Sequence, residues 1–153
     1  MGAPDRLGSP ATVHDVVRSG YLRQILDILP VGILILEAPD GNIVMANPEM
    51  EKIHKRKFPA PIVTDEYMEW RLFYMDGRPY KLEDYPHNRS LHKGEVIRGE
   101  KARLLRSDET TITVMVNSAP IYDDEGKTAY VVVENTDLTE LERCKNAMAG
   151  IYQ

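Results

Sequence analysis

Hydrophobic residues near the N-terminus repeat with the period of an α-helix. Leu22, Ile25, Leu26 and Leu29 are separated by three, one and three positions, so they form one apolar stripe on a helix. Pro30 cannot continue that helix, because it lacks a backbone N–H and its ring obstructs the preceding turn. The pattern predicts an N-terminal helix whose stripe is buried against the rest of the chain.

Two short segments rich in β-branched residues follow this helix. The sequences GILILE and NIVMAN are separated by APDG, in which Asp40-Gly41 supplies the positive φ angle of a tight hairpin turn. We therefore expect two antiparallel strands. Asn47, Pro48 and Glu49 then stand in the order of a helix N-cap, a first-turn proline and a first-turn acid, which predicts a short helix from about Pro48.

The middle of the chain is irregular and its last third is regular. Four prolines interrupt residues 58–94, which predicts short helices and loops, the last helix entering near Pro86 and ending before Gly94. The segments EVIRGEKARLLR, TITVMVNSAPI and TAYVVVEN, separated by turn sequences, predict three further strands. The element order predicts an α+β fold, in which a five-stranded antiparallel sheet carries short helices on one face and is flanked by N-terminal and C-terminal helices.

Composition narrows the class of protein. The 153 residues are 42% hydrophobic and 28% charged, which is typical of one globular domain. The longest apolar run, Val31–Leu36, is too short to span a bilayer, and the N-terminus lacks the basic and apolar regions of a signal peptide. We therefore expect a cytoplasmic protein without a membrane segment here, and a flexible lead-in at residues 1–12.

Charge and cysteine content exclude several classes of partner and site. With 24 acidic and 19 basic residues, the net charge of −5 opposes the basic surface that nucleic-acid binding requires, so no nucleic-acid partner is expected. The basic run His54–Lys57 is interpreted as the solvated last turn of a helix. One cysteine, Cys144, is too few for an intrachain disulfide or a cysteine-based zinc site, and no metal is expected.

Sequence motifs indicate no enzyme class. The chain lacks the P-loop, dinucleotide-binding, zinc-protease and nucleophile-elbow motifs, as well as the histidine and nucleotide boxes of a kinase. The string SLHK at residues 90–93 matches the S-x-x-K pattern of acylating enzymes, but no partner motif accompanies it. We therefore predict that this chain is not itself an enzyme.

Four sequence segments, spanning about Leu22–Glu142, resemble those of one family in their order and spacing. They are LPVGILILEAPDGNIVMANPEM, DGRPYKLEDYPHNRSLHKGEVIRGEKARLLRSDET, APIYDDEG and DLTELE. The chain is thereby similar to a PAS domain, the sensory module common in sensor histidine kinases and related signalling proteins of bacteria and archaea. The resemblance implies a PAS core over residues 31–136 and a downstream output domain, with a histidine kinase as the full-length protein.

The C-terminal segment, residues 137–153, is predicted to be a signalling helix. Asp137 and Glu140 have the spacing of a capping box, so with Thr139 they are the expected signal-relay residues. A seam with coiled-coil spacing follows, formed by Leu141, Cys144, Met148 and Ile151. The seam predicts a two-helix coiled coil, and the alternative is that these residues pack back on the domain.

The resemblance also implies a ligand pocket between the inner face of the sheet and the short helices. Alternation along the strands selects its apolar lining, and nearby aromatic or polar side chains supply further contacts. The predicted ligand-binding residues are Ile35, Met45, Trp70, Phe73, Tyr85, His87, Leu91, Val114, Val116 and Val132. The alternative is that these side chains only fill the core.

The identity of any cofactor is unknown from the sequence. Some PAS domains bind haem through a histidine in the region of His87 and His92, but these two, five residues apart on a helix, point about 140° from each other. His87 would face inward with Leu91 and His92 outward with Asn88, and haem is disfavoured. The light-sensing branch of the family attaches flavin to a cysteine in the middle region, so the position of Cys144 in the exit helix excludes such a covalent adduct.

The sequence supports three functional hypotheses. The leading one is a sensory module that binds a small molecule or a partner and relays the change through its C-terminal helix. The others are a structural dimerisation module without a ligand and a haem-based redox or gas sensor. The leading hypothesis includes a homodimer, with a surface on the N-terminal helical segment, residues 13–30, formed by Val13, Val16, Val17 and Leu22.

Overall fold

The sheet and helices are formed by residues 20–58 and 71–151, the parts of the chain that this computed structural model describes. The elements in chain order are α1 (Gly20–Ile28), β1 (Gly32–Glu37), β2 (Asn42–Ala46), α2 (Pro48–His54), β3 (Arg71–Phe73), a 3₁₀ turn (Leu82–Asp84), α3 (Pro86–Lys93), β4 (Ile97–Leu105), β5 (Thr111–Tyr122), β6 (Thr128–Asp137) and α4 (Thr139–Ile151). The predicted lead-in at residues 1–12 and the predicted dimer residues Val13, Val16 and Val17 lie outside the described residues.

The strands form one antiparallel sheet in the order β2-β1-β6-β5-β4-β3. The predicted α+β class is confirmed, but the predicted count of five strands is wrong, because the described sheet has six. The additional strand is β3, in the segment predicted as short helices and loops. Its three residues are too few to show alternation, and the edge of β4 supplies their partners, with Leu72 opposite Leu104.

Strand β1 buries side chains on both faces of the sheet. Leu34 and Leu36 belong to an inner cluster that residues of α2 and α3 cover, whereas Ile33 and Ile35 belong to an outer cluster beneath α1. A strand that is buried on both faces reads as a continuous apolar run. The sequence GILILE therefore predicts the strand but cannot tell which of its residues face inward.

The helix α1 packs its predicted stripe on the outer face of the sheet, with one exception. Leu22, Leu26 and Leu29 contact the outer cluster, whereas Ile25 is 53% exposed. The predicted burial of Ile25 is wrong because successive helical residues are rotated by about 100°, so a helix lying on a sheet that buries Leu26 turns Ile25 away.

Local turn chemistry determines where several elements end. Gly41 in the β1–β2 hairpin has φ +78° and Gly94, directly after α3, has φ +67°, as their sequence contexts predict. The backbone N–H of Gly94 donates to the Ser90 carbonyl oxygen at 3.1 Å, which closes the last turn of α3. The predicted entry of this helix at Pro86 is also confirmed.

Asn47 is the N-cap of α2, as predicted, and only 1% of its surface is exposed. Its Oδ1 accepts from the N–H groups of Ile33 at 2.8 Å and Met50 at 3.0 Å. Its Nδ2 donates to the carbonyl oxygens of Leu26 at 3.0 Å and Val31 at 2.8 Å. One side chain therefore joins α1 and α2, which lie on opposite faces of the sheet, to the start of β1.

We predict that Asn47→Ala lowers the free energy of unfolding by roughly 3–5 kcal/mol, because buried backbone donors and acceptors lose their partners together with the helix cap. Chemical denaturation monitored by circular dichroism measures the change. The control is Asn146→Ala, at an exposed position of α4, for which we expect a change below about 0.5 kcal/mol. Equal effects of the two substitutions would contradict the structural role of Asn47.

Candidate functional site: a small core cavity and the exit helix

A small cavity lies in the core between the inner face of the sheet and the helices α2 and α3. Its volume is about 20 Å³. The residues lining it are Leu34, Met50, His54, Leu72, Tyr85, Pro86, His87, Val116, Val133 and Asn135. This volume suits one water molecule, whereas pockets for organic ligands measure roughly 300–1,000 Å³.

Asn135 forms the polar centre of this cavity wall. Its Nδ2 lies 2.9 Å from Nε2 of His54 and 3.5 Å from the sulfur of Met50. A thioether sulfur has no proton to donate, so the amide group that approaches it is the NH₂. His54 then accepts through Nε2, which fixes its neutral tautomer with the proton on Nδ1.

The oxygen of the same amide has no comparable partner. Oδ1 of Asn135 is buried, and no group among the described residues donates a hydrogen bond to it. A buried acceptor without a donor costs about 1–3 kcal/mol. The cavity wall therefore carries an acceptor that favours a small donor beside it.

The two cavity histidines are neutral at neutral pH. Burial, with a smaller contribution from the nearby charge of Arg56, lowers the pKa of His54 to about 3. Burial also lowers the pKa of His87 to about 4, with a smaller contribution from the charge of His92. Since both histidines are neutral and no carboxylate, ammonium or guanidinium group lines the cavity, its wall carries no formal charge.

Some predicted pocket residues line this cavity or lie beside it. Tyr85, His87 and Val116 line it. Val114 and Leu91 belong to the same inner cluster without lining the cavity. These positions agree with the predicted inward face, and a role in ligand binding stays a prediction for all five residues.

Other predicted pocket residues lie elsewhere. Ile35, Met45 and Val132 belong to the outer cluster beneath α1, so their predicted inward orientation is wrong. Their strands carry apolar residues on both faces, and alternation alone cannot distinguish those faces. Phe73 is half-buried outside the inner cluster, because its neighbour Leu72 takes the inward position on β3.

Trp70, the remaining predicted pocket residue, lies outside the described residues. His54 and Asn135 were not predicted at all. Asn135 had a detectable signal, because it is a polar residue in phase with Val131 and Val133 on the inward face of β6. His54 had none, since it falls within a run of basic residues that indicated solvent exposure.

The orientation of α3 confirms most of the histidine prediction. His87 is buried and lines the cavity, while His92 is exposed. Asn88 was predicted to be outside with His92, and this is wrong, because Asn88 is buried and its Nδ2 donates to the Leu82 carbonyl oxygen at 2.8 Å. The 3₁₀ turn before α3 covers this side of the helix.

The exit helix α4 is attached to the sheet at its first turn. Oδ1 of Asp137 accepts from the backbone N–H of Thr139 at 2.9 Å and from its hydroxyl at 2.6 Å. Leu138 is buried and its N–H donates to the Thr113 carbonyl oxygen at 2.9 Å. The predicted capping box is wrong in its second half, because within the described chain no hydrogen bond returns from Glu140, which is exposed.

Beyond its first turn, α4 exposes most of its surface. Leu141 is 49% and Met148 56% exposed, and Cys144 is also exposed. The alternative in which this seam packs back on the domain is therefore wrong for these three residues.

None of the described helices combines the length and the apolar character needed to cross a lipid bilayer. Within the described residues, no group of three or more potential ligand side chains is placed to hold a metal ion.

The antiparallel sheet, its short covering helices and the helix leaving an interior strand define an α+β domain of the PAS type. A family model described as "PAS domain" matches residues 20–90. The expected resemblance to PAS domains is thus confirmed over this part of the chain. No curated protein matches the sequence significantly.

Solved structures show the same fold. The chain is similar to the Rhodobacter sphaeroides LOV protein (14% identity, TM-score 0.58), covering 76% of this chain and 65% of that one. It is similar to an RNA-binding light-oxygen-voltage receptor (16%, 0.60), covering 100% and 43%. It is also similar to the LOV domain of a blue-light activated histidine kinase from Erythrobacter litoralis EL346 (15%, 0.52), covering 72% and 97%. At these identities the similarity is one of fold.

We predict that the neutral core histidines make stability depend on pH. Below pH 6.5 the unfolded chain binds protons that the folded core excludes, so the free energy of unfolding falls as the pH falls toward about 4, by roughly 1 kcal/mol per pH unit for each histidine. Urea titrations of wild type and His87→Gln between pH 7 and 4.5 measure this slope.

In the variant His87→Gln, the free energy of unfolding is expected to fall less steeply with pH than in the wild type. The difference should be about the contribution of one histidine, roughly 1 kcal/mol per pH unit. The control His92→Gln replaces an exposed histidine on the same helix and should keep the wild-type slope. The assignment fails if His87→Gln and the wild type lose stability in parallel on acidification.

Proposed function

We propose that this chain is the sensory PAS module of a cytoplasmic two-component signalling protein, a histidine kinase, and that it relays changes in its core through α4. The observation that carries this proposal is the course of β6. Asn135 lines the cavity, and two residues later Asp137 binds the first residue of α4, Thr139. One residue of strand therefore separates Asn135 at the cavity wall from Asp137 at the start of the exit helix.

The packing around β6 supports transmission along this path. β6 is hydrogen-bonded to β1 on one side and to β5 on the other, so its backbone is fixed along both edges. Leu138 anchors the start of α4 beside Thr113 of β5. Because close-packed interiors transmit small displacements rather than absorbing them, movement of β6 redirects α4.

Exposed apolar residues support a homodimer. On α1, Tyr21, Ile25 and Ile28 are exposed, while the opposite side of the helix packs on the sheet. The predicted N-terminal dimer surface included Leu22, which instead packs inward, so the outward face of α1 takes that role. Together with the seam of α4, this face gives a second copy of the chain two apolar helices to cover.

The output is proposed to lie in another domain of the same protein, so that this domain has no enzymatic activity of its own. One structural neighbour is named as part of a histidine kinase, which supports that output. Another is named as RNA-binding, so RNA is an alternative partner class. The net charge of −5 disfavours direct RNA binding by this domain, and electrophoretic mobility shift at low salt tests the point.

A second candidate is a structural dimerisation module without an organic ligand, and the cavity volume of about 20 Å³ favours it. Haem or flavin would have to displace core side chains, so neither is proposed as a cofactor. Native mass spectrometry of gently purified protein tests for an organic ligand. A stoichiometric organic molecule contradicts the structural candidate, whereas a dimer of unmodified mass excludes an organic ligand.

We predict that Leu141→Glu raises the dimer dissociation constant at least about tenfold, because it places a charge in an apolar seam. Sedimentation velocity over a concentration series measures the constant. The control is Arg143→Glu, a charge change on the same helix at an exposed position off the seam. The dimer assignment is wrong if Leu141→Glu associates as tightly as Arg143→Glu.

We predict that Asp137→Ala loosens the connection between β6 and α4 without unfolding the sheet. Loss of a terminal hydrogen bond costs about 1 kcal/mol, so amide exchange in the first turn of α4 should accelerate about fivefold. Hydrogen exchange followed by NMR measures this rate.

A matched control is Asp123→Ala in the β5–β6 turn. Oδ1 of Asp123 accepts from the N–H groups of Glu125 and Lys127, both at 2.9 Å, so this substitution breaks a similar turn at the opposite end of β6. It should leave exchange in α4 unchanged. If both variants affect α4 equally, Asp137 has no special part in the relay.

A further inference from the structure

The cavity volume limits its occupant to a very small molecule. About 20 Å³ is enough for one water molecule and is an order of magnitude below the volume of an organic-ligand pocket. The walls restrict expansion, because Leu34 and Val116 are almost completely buried in the inner cluster. An occupant therefore has one or two non-hydrogen atoms unless the core rearranges.

The wall also selects the chemistry of the occupant. Nδ2 of Asn135 is occupied by His54 and by the sulfur of Met50, which leaves Oδ1 as a buried acceptor without a donor among the described residues. An occupant that donates a hydrogen bond relieves this cost. Diatomic gases have no such proton to donate.

A charged occupant is excluded as firmly as a large one. The lining contains no carboxylate, ammonium or guanidinium group, and a small ion in such a wall would lose its hydration without gaining a counter-charge. The wall therefore suits a neutral molecule.

We infer that the ligand of this cavity is a single neutral hydrogen-bond donor of the size of water, held by Oδ1 of Asn135. Water, ammonia and hydrogen peroxide share this chemistry. The inference rests on the proposed sensory function, because it names the class of ligand that the core would sense. This class of ligand excludes diatomic gases and organic cofactors from the same site.

The first test counts long-lived water molecules by oxygen-17 and deuterium magnetic relaxation dispersion. Val133→Ile adds one carbon to the cavity wall and should abolish one long-lived water. The control, Val132→Ile, makes the same change at the next position on β6, in the outer cluster, and should keep the wild-type count. Equal counts in wild type and Val133→Ile overturn the inference.

A second test removes the acceptor itself. Asn135→Leu replaces the amide by an apolar side chain, so it should abolish the same long-lived water and shift the methyl signals of Val116 and Val133. This variant keeps the inference testable if Val133→Ile does not fold. An unchanged count of long-lived water molecules in Asn135→Leu overturns the inference.

The same methyl signals separate the three donors. Ammonia at pH 10 and hydrogen peroxide at pH 7 are titrated into wild type and Val133→Ile. Saturable shifts in wild type alone identify the added molecule as a ligand, while unshifted signals together with a long-lived water identify water. These results are independent of the dimer and hydrogen-exchange measurements on α4, so the ligand inference and the proposed relay can fail separately.

Discussion

The architecture depends on one buried side chain, Asn47. Its four hydrogen bonds tie the end of α1, the start of β1 and the cap of α2 at a single point. This point sets how the helices on the two faces of the sheet are placed relative to each other. Because α2 carries Met50 and His54 to the cavity, the cap of a short helix also positions the polar wall of the candidate site.

The core is almost filled, and this shapes what the domain can do. A cavity of about 20 Å³ leaves little room for side chains to adjust, so any change at its wall is passed to the neighbouring backbone. The strand that leads from the cavity wall to the exit helix is β6, which carries Asn135 and then Asp137 at the start of α4. A nearly filled core is therefore consistent with a relay to the projecting helix α4. The small cavity volume favours a tight connection between the core and α4 over the binding of a large ligand.

Polar residues in the core were harder to recognise than the fold itself. The order of strands and helices followed from alternation and turn chemistry, and the caps at Asn47 and Gly94 followed from local sequence. His54, in a basic run, and Asn88, on the supposed outer face of α3, were misplaced because their burial depends on distant segments that cover them. Such contacts leave no trace in the residues immediately around them.

The sequence by itself determined the class of fold, the β1–β2 hairpin, the start of α2 and the end of α3, because each depends on the φ preferences and hydrogen bonds of a few neighbouring residues. Tertiary structure decided the rest. Long-range contacts determined which face of β1 and β6 points to the cavity, paired β3 with the edge of β4, and left Ile25 exposed. These outcomes depend on long-range packing: a strand that is apolar on both faces folds equally well either way until helices cover it.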